Sequence, residues 1–302
     1  MSKFLVAGIV QIETIVKVDT IPIDYEPVRS RPNTIFTNVG GDAYNTSLAL
    51  TWLGNSTDFM SLIGESESKE FLNPKDREVT IYTDYVLPRL SATPTAVILY
   101  DESRKQQIFE DIKNVRDVDY DMEFIEDRVS KADMVVLSNA NFCRPFIQKA
   151  KEMNKAIAVN IREYKEGNII YNRDFLEAAD IIYISDDNLV VEPFEFVRNV
   201  ADTFDPEIII LGQGEKGVIL FSKKMNILAH YHAVRTNEVV NTVGAGNALF
   251  SCFLHYYNKE GNPVTAIKNA LLFASYKIGF VGTSNGFMTE EQIAQWRSFI
   301  WK

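Results

Sequence analysis

Apolar and polar positions follow two different rhythms along this chain, and the change of rhythm near residue 131 divides it. Beyond that point, short uninterrupted apolar runs alternate with stretches of helical spacing. Residues 134–137, a segment through Phe146 and Met153, and residues 156–159 read as strand, helix, strand. The rhythm repeats through 175–179, 181–184, 194–200 and 208–211. Strands that are apolar on both faces belong to a mostly parallel sheet covered by helices on both sides, a doubly wound α/β arrangement. Residues 217–221 open a hairpin-like segment that runs to Val234, and the remainder is helical. Leu249, Phe250, Phe253, Leu254 and Tyr257 form one helical stripe, and Thr289 with Gln292 makes a capping-box pattern before Ile293, Trp296 and Ile300.

The first hundred residues differ. Residues 4–10 predict a strand of the main sheet, whereas 12–18 and 95–100 are strand-like pieces separated by Pro22, Pro27, Pro32, Pro88 and Pro94. Such pieces build either a small strand-rich lid, spanning about 11–37 and 78–110, or an edge extension of the main sheet. One domain over residues 1–302 is the expectation, since 302 residues with 46% hydrophobic content bury a large core.

Charge and cysteine content narrow the functional classes. A net charge of −10 excludes general binding to nucleic acid or anionic membrane. Cys143 and Cys252 are too few for a disulfide framework, which points to a reducing, cytoplasmic setting. The longest uncharged stretch, 239–257, carries too many polar residues for a membrane span, and residues 4–10 read as a strand and not a signal peptide. His230, His232 and His255 do not form a metal-ligand set; the first two share a strand face without a third ligand nearby in sequence.

Three glycine sets carry the candidate chemistry. Gly40-Gly41 is followed by Asn45 on a helix with Tyr44, Leu48 and Trp52 inward and Gly54 as its stop. Adjacent glycines allow close approach of a ligand or simply form a turn, and Asn45 can donate to and accept from a polyol. Gly212-Gln213-Gly214-Glu215-Lys216-Gly217 joins two strands and by itself reads as a tight hairpin. Asn241-Thr242-Val243-Gly244-Ala245-Gly246-Asn247 turns into a helix whose first amides and dipole favour an anion. Asn247 sits at the entrance of that helix. An Asp there would accept a hydroxyl proton during phosphoryl transfer, which Asn cannot do.

In this order and spacing the sets resemble the signatures of the ribokinase family, also called the PfkB carbohydrate kinases. Gly40-Gly41-Asp42-Ala43-Tyr44-Asn45 is similar to the first signature, and residues 241–247 to the second, Asp-Thr-x-Gly-Ala-Gly-Asp. The resemblance extends over nearly the whole chain, including Asn160-Ile161-Arg162 after a central strand. It implies a ribokinase-like fold, a sugar or nucleoside under a small lid, ATP with Mg²⁺ along the glycine loops, and a possible homodimer through the lid, for which residues 12–18 offer a strand. It places substrate contacts at Gln11, Glu13, Gly40, Gly41 and Asn45, and nucleotide contacts at Ser185, Gly212, Gly214, Lys216, Gly217 and Asn241. Gly244, Ala245 and Gly246 become the anion hole, and Arg162 a phosphate ligand. Surface roles for Arg162 and Lys216 are the alternatives.

The charge-bearing positions depart from the family pattern. The position of its catalytic Asp is Asn247, and that of its first signature Asp is Asn241. Glu13 is one methylene longer than the usual acid, and Gln11 stands where Asn is common. The Asn-x-x-Glu motif tied to magnesium aligns with Ser185-Asp186-Asp187-Asn188, with Asp186 or Asp187 as a shifted substitute. Gly212 replaces an opening Thr, and Gly64-Glu65-Ser66-Glu67-Ser68 is a reduced form of another acidic run. The expectation is a polyol-binding and ATP-binding homologue with phosphotransfer weakened or lost; the alternative is an active carbohydrate kinase using a substitute base.

Overall fold

The structure, a computed structural model, describes residues 2–75, 78–103, 105–161, 164, 169–187 and 189–301. Nine strands form the main sheet in the order β13-β12-β11-β10-β9-β8-β1-β4-β5. These are β1 (Lys3–Ala7), β4 (Ser56–Gly64), β5 (Val86–Leu90), β8 (Met134–Ser138), β9 (Ala156–Ile161), β10 (Ile181–Ser185), β11 (Ile208–Gly212), β12 (Gly217–Ser222) and β13 (Ile227–His232). All are parallel from β5 to β11, while β12 and β13 turn back as an antiparallel edge.

The period-2 geometry of these strands explains their unbroken apolar runs. Phe4, Val6, Val136, Ile181, Tyr183, Ile208 and Ile210 face one layer, and Leu5, Ala7, Val135, Leu137, Ile182, Ile184, Ile209 and Leu211 face the other. The first layer holds α1 (Asp42–Trp52), α6 (Ala245–Glu260), α7 (Pro263–Lys277) and α8 (Glu290–Ile300). The second holds α2 (Met122–Lys131), α3 (Arg144–Glu152), α4 (Ile169–Ala178) and α5 (Pro193–Phe204). Local signals set the helix ends. Asn262 Oδ1 accepts the amides of Val264 and Thr265 ahead of Pro263-led α7, and Thr289 with Gln292 forms the expected capping box of α8. Tyr44 and Leu48 are buried on α1 and Trp52 is half-buried.

A second sheet of four strands runs β3-β2-β6-β7, from β2 (Gln11–Lys17), β3 (Ile35–Gly40), β6 (Thr95–Tyr100) and β7 (Gln106–Asp111). β2 and β6 are parallel and the other pairs antiparallel. The early strand pieces therefore divide between the two readings open in the sequence. Residues 86–90, expected in the lid, instead extend the main sheet at its edge beside β4, where Pro88 can be tolerated. The run expected as one strand over 4–10 stops at Ala7, and β2 then enters the small sheet. Both edges of β2 are taken, by β3 and β6, so that strand cannot pair with a second copy edge to edge.

The small sheet rests on the second glycine turn. Val243 is buried against Ile15, Ala96, Ile98 and Tyr100, and Gln106 Nε2 donates to Thr242 Oγ1. The sheet and the signature turn are thereby one packed unit.

Candidate active site

The turn before α6 needs its glycines for backbone reasons. Gly244 has φ 79°, and a Cβ there would lie 2.8 Å from the Thr283 carbonyl oxygen. A Cβ on Gly246 would stand 2.5 Å from the Tyr183 hydroxyl, and one on Gly212 would stand 2.6 Å from the same atom. Tyr183 thus fills the space between the end of β11 and the first turn of α6. Its ring leans on Phe250, and burial pushes its hydroxyl pKa well up. No sequence pattern marks this tyrosine as the residue that both glycines accommodate.

Of the three amides expected to line an anion cradle, that of Ala245 is taken within the turn. The Ala245 amide donates to the Thr242 carbonyl at 3.2 Å, which leaves the amides of Gly244, Gly246 and Asn247 without a backbone acceptor among the described residues. Asn241, expected at the nucleotide, closes the turn from within: its Oδ1 accepts the Val243 amide at 2.7 Å, and its Nδ2 is buried without a partner among the described residues. Behind the turn lies Lys277, 0% exposed, whose ammonium donates to the carbonyls of Val243 and Gly282. Burial lowers its pKa to about 7, against a smaller upward pull from Glu13. Nothing local in sequence marks Lys277, the last residue of α7, as lying behind the turn.

Asn247 is gripped from both sides. Its Oδ1 accepts from Asn160 Nδ2 at 2.8 Å, and its Nδ2 donates to Asp42 Oδ1 at 3.3 Å. Asn160 is buried near the end of β9, and Asp42 is the half-buried first residue of α1. The N-termini of α1 and α6 therefore meet at these two side chains. In sequence Asp42 stands only as part of a glycine signature, because nothing local couples positions 42 and 247.

The first glycine set packs against buried side chains of β2. Glu13, 3% exposed, fills the space beside Gly40: a Cβ there would fall 2.2 Å from the Glu13 carboxyl carbon. Glu13 Oε1 accepts from the Gly41 amide and Gln11 Nε2, both at 3.0 Å, and Oε2 accepts from Thr283 Oγ1 at 2.7 Å. Burial raises its pKa, and hydrogen bonds from Gln11, Thr283 and Gly41 offset part of the rise. Gln11 and Glu13 thus brace β2 against the glycine pair and the segment at Thr283. The additional methylene of Glu lets the carboxylate reach the Gly41 amide. Asn45 is different. It is 3% exposed, yet its Oδ1 has no partner among the described residues, and one turn of α1 separates it from Asp42.

At the loops expected to hold the nucleotide, Ser185 Oγ donates to Asp187 Oδ2 at 2.9 Å and Gln213 Nε2 donates to Asp186 Oδ2 at 3.3 Å. Burial first, and then the neighbouring Asp187, raise the Asp186 pKa. These two carboxylates beside the glycine loop suit a magnesium ion that retains most of its water. Gly214 to Lys216 form a 3-10 turn, and Gly217, at φ 110°, is required because a Cβ would lie 2.1 Å from the Tyr231 carbonyl oxygen. Lys216, Glu215, His230, His232 and Ala233 rim a depression of about 410 Å³, with the two imidazoles in edge contact at 4.6 Å. A larger one of about 530 Å³ is lined by Arg235, Thr236, Asn237, Glu238 and Val239, just ahead of the turn. Arg162, expected at the phosphates, and Asn188 lie outside the described residues. Among the described residues no group of three or more His, Cys, Asp or Glu could hold a metal, and no helix is long and apolar enough to cross a membrane.

Comparison with known proteins decides the family, since a profile described as pfkB family carbohydrate kinase matches residues 1–290. The chain belongs to the pfkB family. It is 37% identical to the deoxyribokinase of Salmonella typhi over 90 residues, a match covering 30% of this chain and 28% of that one. It is 21% identical to the ribokinase of Dictyostelium discoideum over 97% of this chain and 99% of the relative. The ribokinase of Arabidopsis thaliana, solved with ribose and ATP, has the same fold: the TM-score is 0.78 at 16% identity, covering 98% of each chain. This pfkB member thus has the ribokinase-like architecture that its signatures imply, with amides at both acidic positions of the second signature.

Proposed function

We propose that this pfkB-family protein binds a small polyol, a sugar or a nucleoside, between the small sheet and the N-termini of α1 and α6. ATP occupies the loops at Ser185, Gly212–Gly217 and the turn at 241–246. The observation that carries the reading is the meeting of the two helix N-termini at Asp42 and Asn247, 3.3 Å apart, one turn from the buried Asn45 oxygen, which has no partner among the described residues. That oxygen is an acceptor suited to a ligand hydroxyl, and the open amides of Gly246 and Asn247 suit a phosphoryl group. Asp186 and Asp187 would hold the magnesium ion, which supplies charge neutralisation for the phosphates when bound.

Residue 247 cannot take the acceptor proton. An amide oxygen is essentially non-basic near neutral pH, and loss of a general base lowers a rate roughly 100-fold to 10,000-fold. Phosphotransfer through residue 247 itself is therefore weakened or lost. The second reading, active transfer with another base, is favoured by one contact: the Asn247 amide is hydrogen-bonded to a carboxylate.

Thermal denaturation with a panel of pentoses, hexoses and nucleosides, each with and without ATP-magnesium, tests the binding reading. A ligand that binds only the native state raises the melting temperature. A melting temperature unmoved by every ligand would reject it.

A further inference from the structure

We propose that Asp42 is the general base of this protein and that Asn247 is its positioning residue, so that the carboxylate has moved across the junction of α1 and α6. The proposal rests on the binding reading above. It begins from the hydrogen-bond chain Asn160 to Asn247 to Asp42, at 2.8 Å and 3.3 Å. Because Asn160 donates to the Asn247 oxygen, the Asn247 nitrogen is directed at Asp42. Among the described residues no other hydrogen bond reaches Asp42, so its second carboxylate oxygen is available to an acceptor hydroxyl.

Placement supports the same assignment. Asp42 opens α1 directly after Gly41, is half-buried, and lies one helical turn from Asn45 on the same face. A polyol held through the unpartnered Asn45 oxygen would present a neighbouring hydroxyl to Asp42. Glu13 is buried and accepts three hydrogen bonds from the protein, and Asp186 accepts one from Gln213 at the glycine loop. Asp42 is the carboxylate in contact with the residue at the base position.

The step balances with ATP as the named co-reactant. The acceptor oxygen forms its bond to the γ-phosphorus as the bond from that phosphorus to the β–γ bridging oxygen breaks. The departing electron pair goes to ADP. The acceptor proton passes to an Asp42 oxygen and then to solvent. Asn247 takes no proton; it holds the carboxylate in place.

An exchange of the two side chains tests this. In the double variant Asp42→Asn/Asn247→Asp, donor and acceptor swap ends, so the mutual hydrogen bond is kept and the carboxylate returns to position 247. ADP release is measured for the wild type, Asp42→Asn and the double variant on the polyol that gives the largest thermal shift, with the affinities for that polyol and for ATP measured in parallel. The expected result is a kcat loss of about 100-fold or more in Asp42→Asn with both affinities within a few-fold of wild type, and recovery of most of that loss in the double variant. Turnover by Asp42→Asn within about threefold of wild type overturns the assignment, as does a loss that the exchange does not restore. Binding of both ligands by the wild type without any ADP release also overturns it and leaves the binding reading standing. Absence of binding removes the binding reading itself.

Discussion

Asn45 and Glu13 differ in how their buried oxygens are satisfied. Both are almost fully enclosed, but Glu13 has its oxygens satisfied by Gln11, Gly41 and Thr283, whereas the Asn45 oxygen has no described partner. An unsatisfied buried acceptor costs about 1–3 kcal/mol, a cost that a ligand hydroxyl removes. Asn45→Ala is accordingly expected to weaken polyol binding by roughly 10-fold to 100-fold while ATP affinity stays within a few-fold, as measured by titration calorimetry with each ligand. Equal weakening of both would place Asn45 outside the polyol site. Glu13→Gln behaves differently: it leaves the brace with a donor facing the Gly41 amide or Thr283, and its expected effect is a lower melting temperature. The sequence distinguishes neither role, since both residues occupy positions that the family resemblance assigns to substrate.

At the scale of elements, the two glycine loops owe their composition partly to the protein's own interior. Gly212 and Gly246 border the Tyr183 hydroxyl, and a methyl group on either would stand within 2.6 Å of it. Gly246→Ala should therefore displace the first turn of α6 and reduce ATP affinity about 10-fold or more, and Tyr183→Phe in the same chain should restore part of it by removing the clashing oxygen. Titration of the single and double variants with ATP-magnesium checks this; an unchanged affinity in Gly246→Ala would show that the turn does not depend on Tyr183. The central strands were legible because both of their faces are apolar, and α8 because its capping box is local. The division of the early strands was less legible. Residues 86–90 join the main sheet by parallel pairing with β4, and no local pattern distinguishes that from membership of the small sheet. The contact of Asp42 with Asn247 spans 205 positions and was not legible at all.

For the whole molecule, Lys277 couples the cradle to stability. Its ammonium holds the carbonyls of Val243 and Gly282, and Val243 in turn carries the small sheet. The folded-state pKa of about 7 lies below the ordinary 10.5, so between these values the unfolded chain binds more protons than the folded one. The contribution of Lys277 to stability therefore rises as pH climbs through that window. Urea unfolding from pH 7 to pH 10 should show the wild type gaining stability relative to Lys277→Met, and parallel curves would contradict this. The raised pKa of Glu13 acts with the opposite sign, since its contribution falls as pH rises from 4.5 upward.

The central claim is that one cleft holds a polyol and ATP together at the meeting of α1 and α6. Its most direct measurement is the melting temperature of the wild type with each polyol, with ATP-magnesium, and with both. A single ligand near 100 times its Kd adds about 2.7 kcal/mol of stability, and occupation of both subsites adds further. The account predicts a rise with ATP-magnesium, a rise with at least one polyol, and a larger rise with the pair. A melting temperature that none of these ligands changes would contradict it.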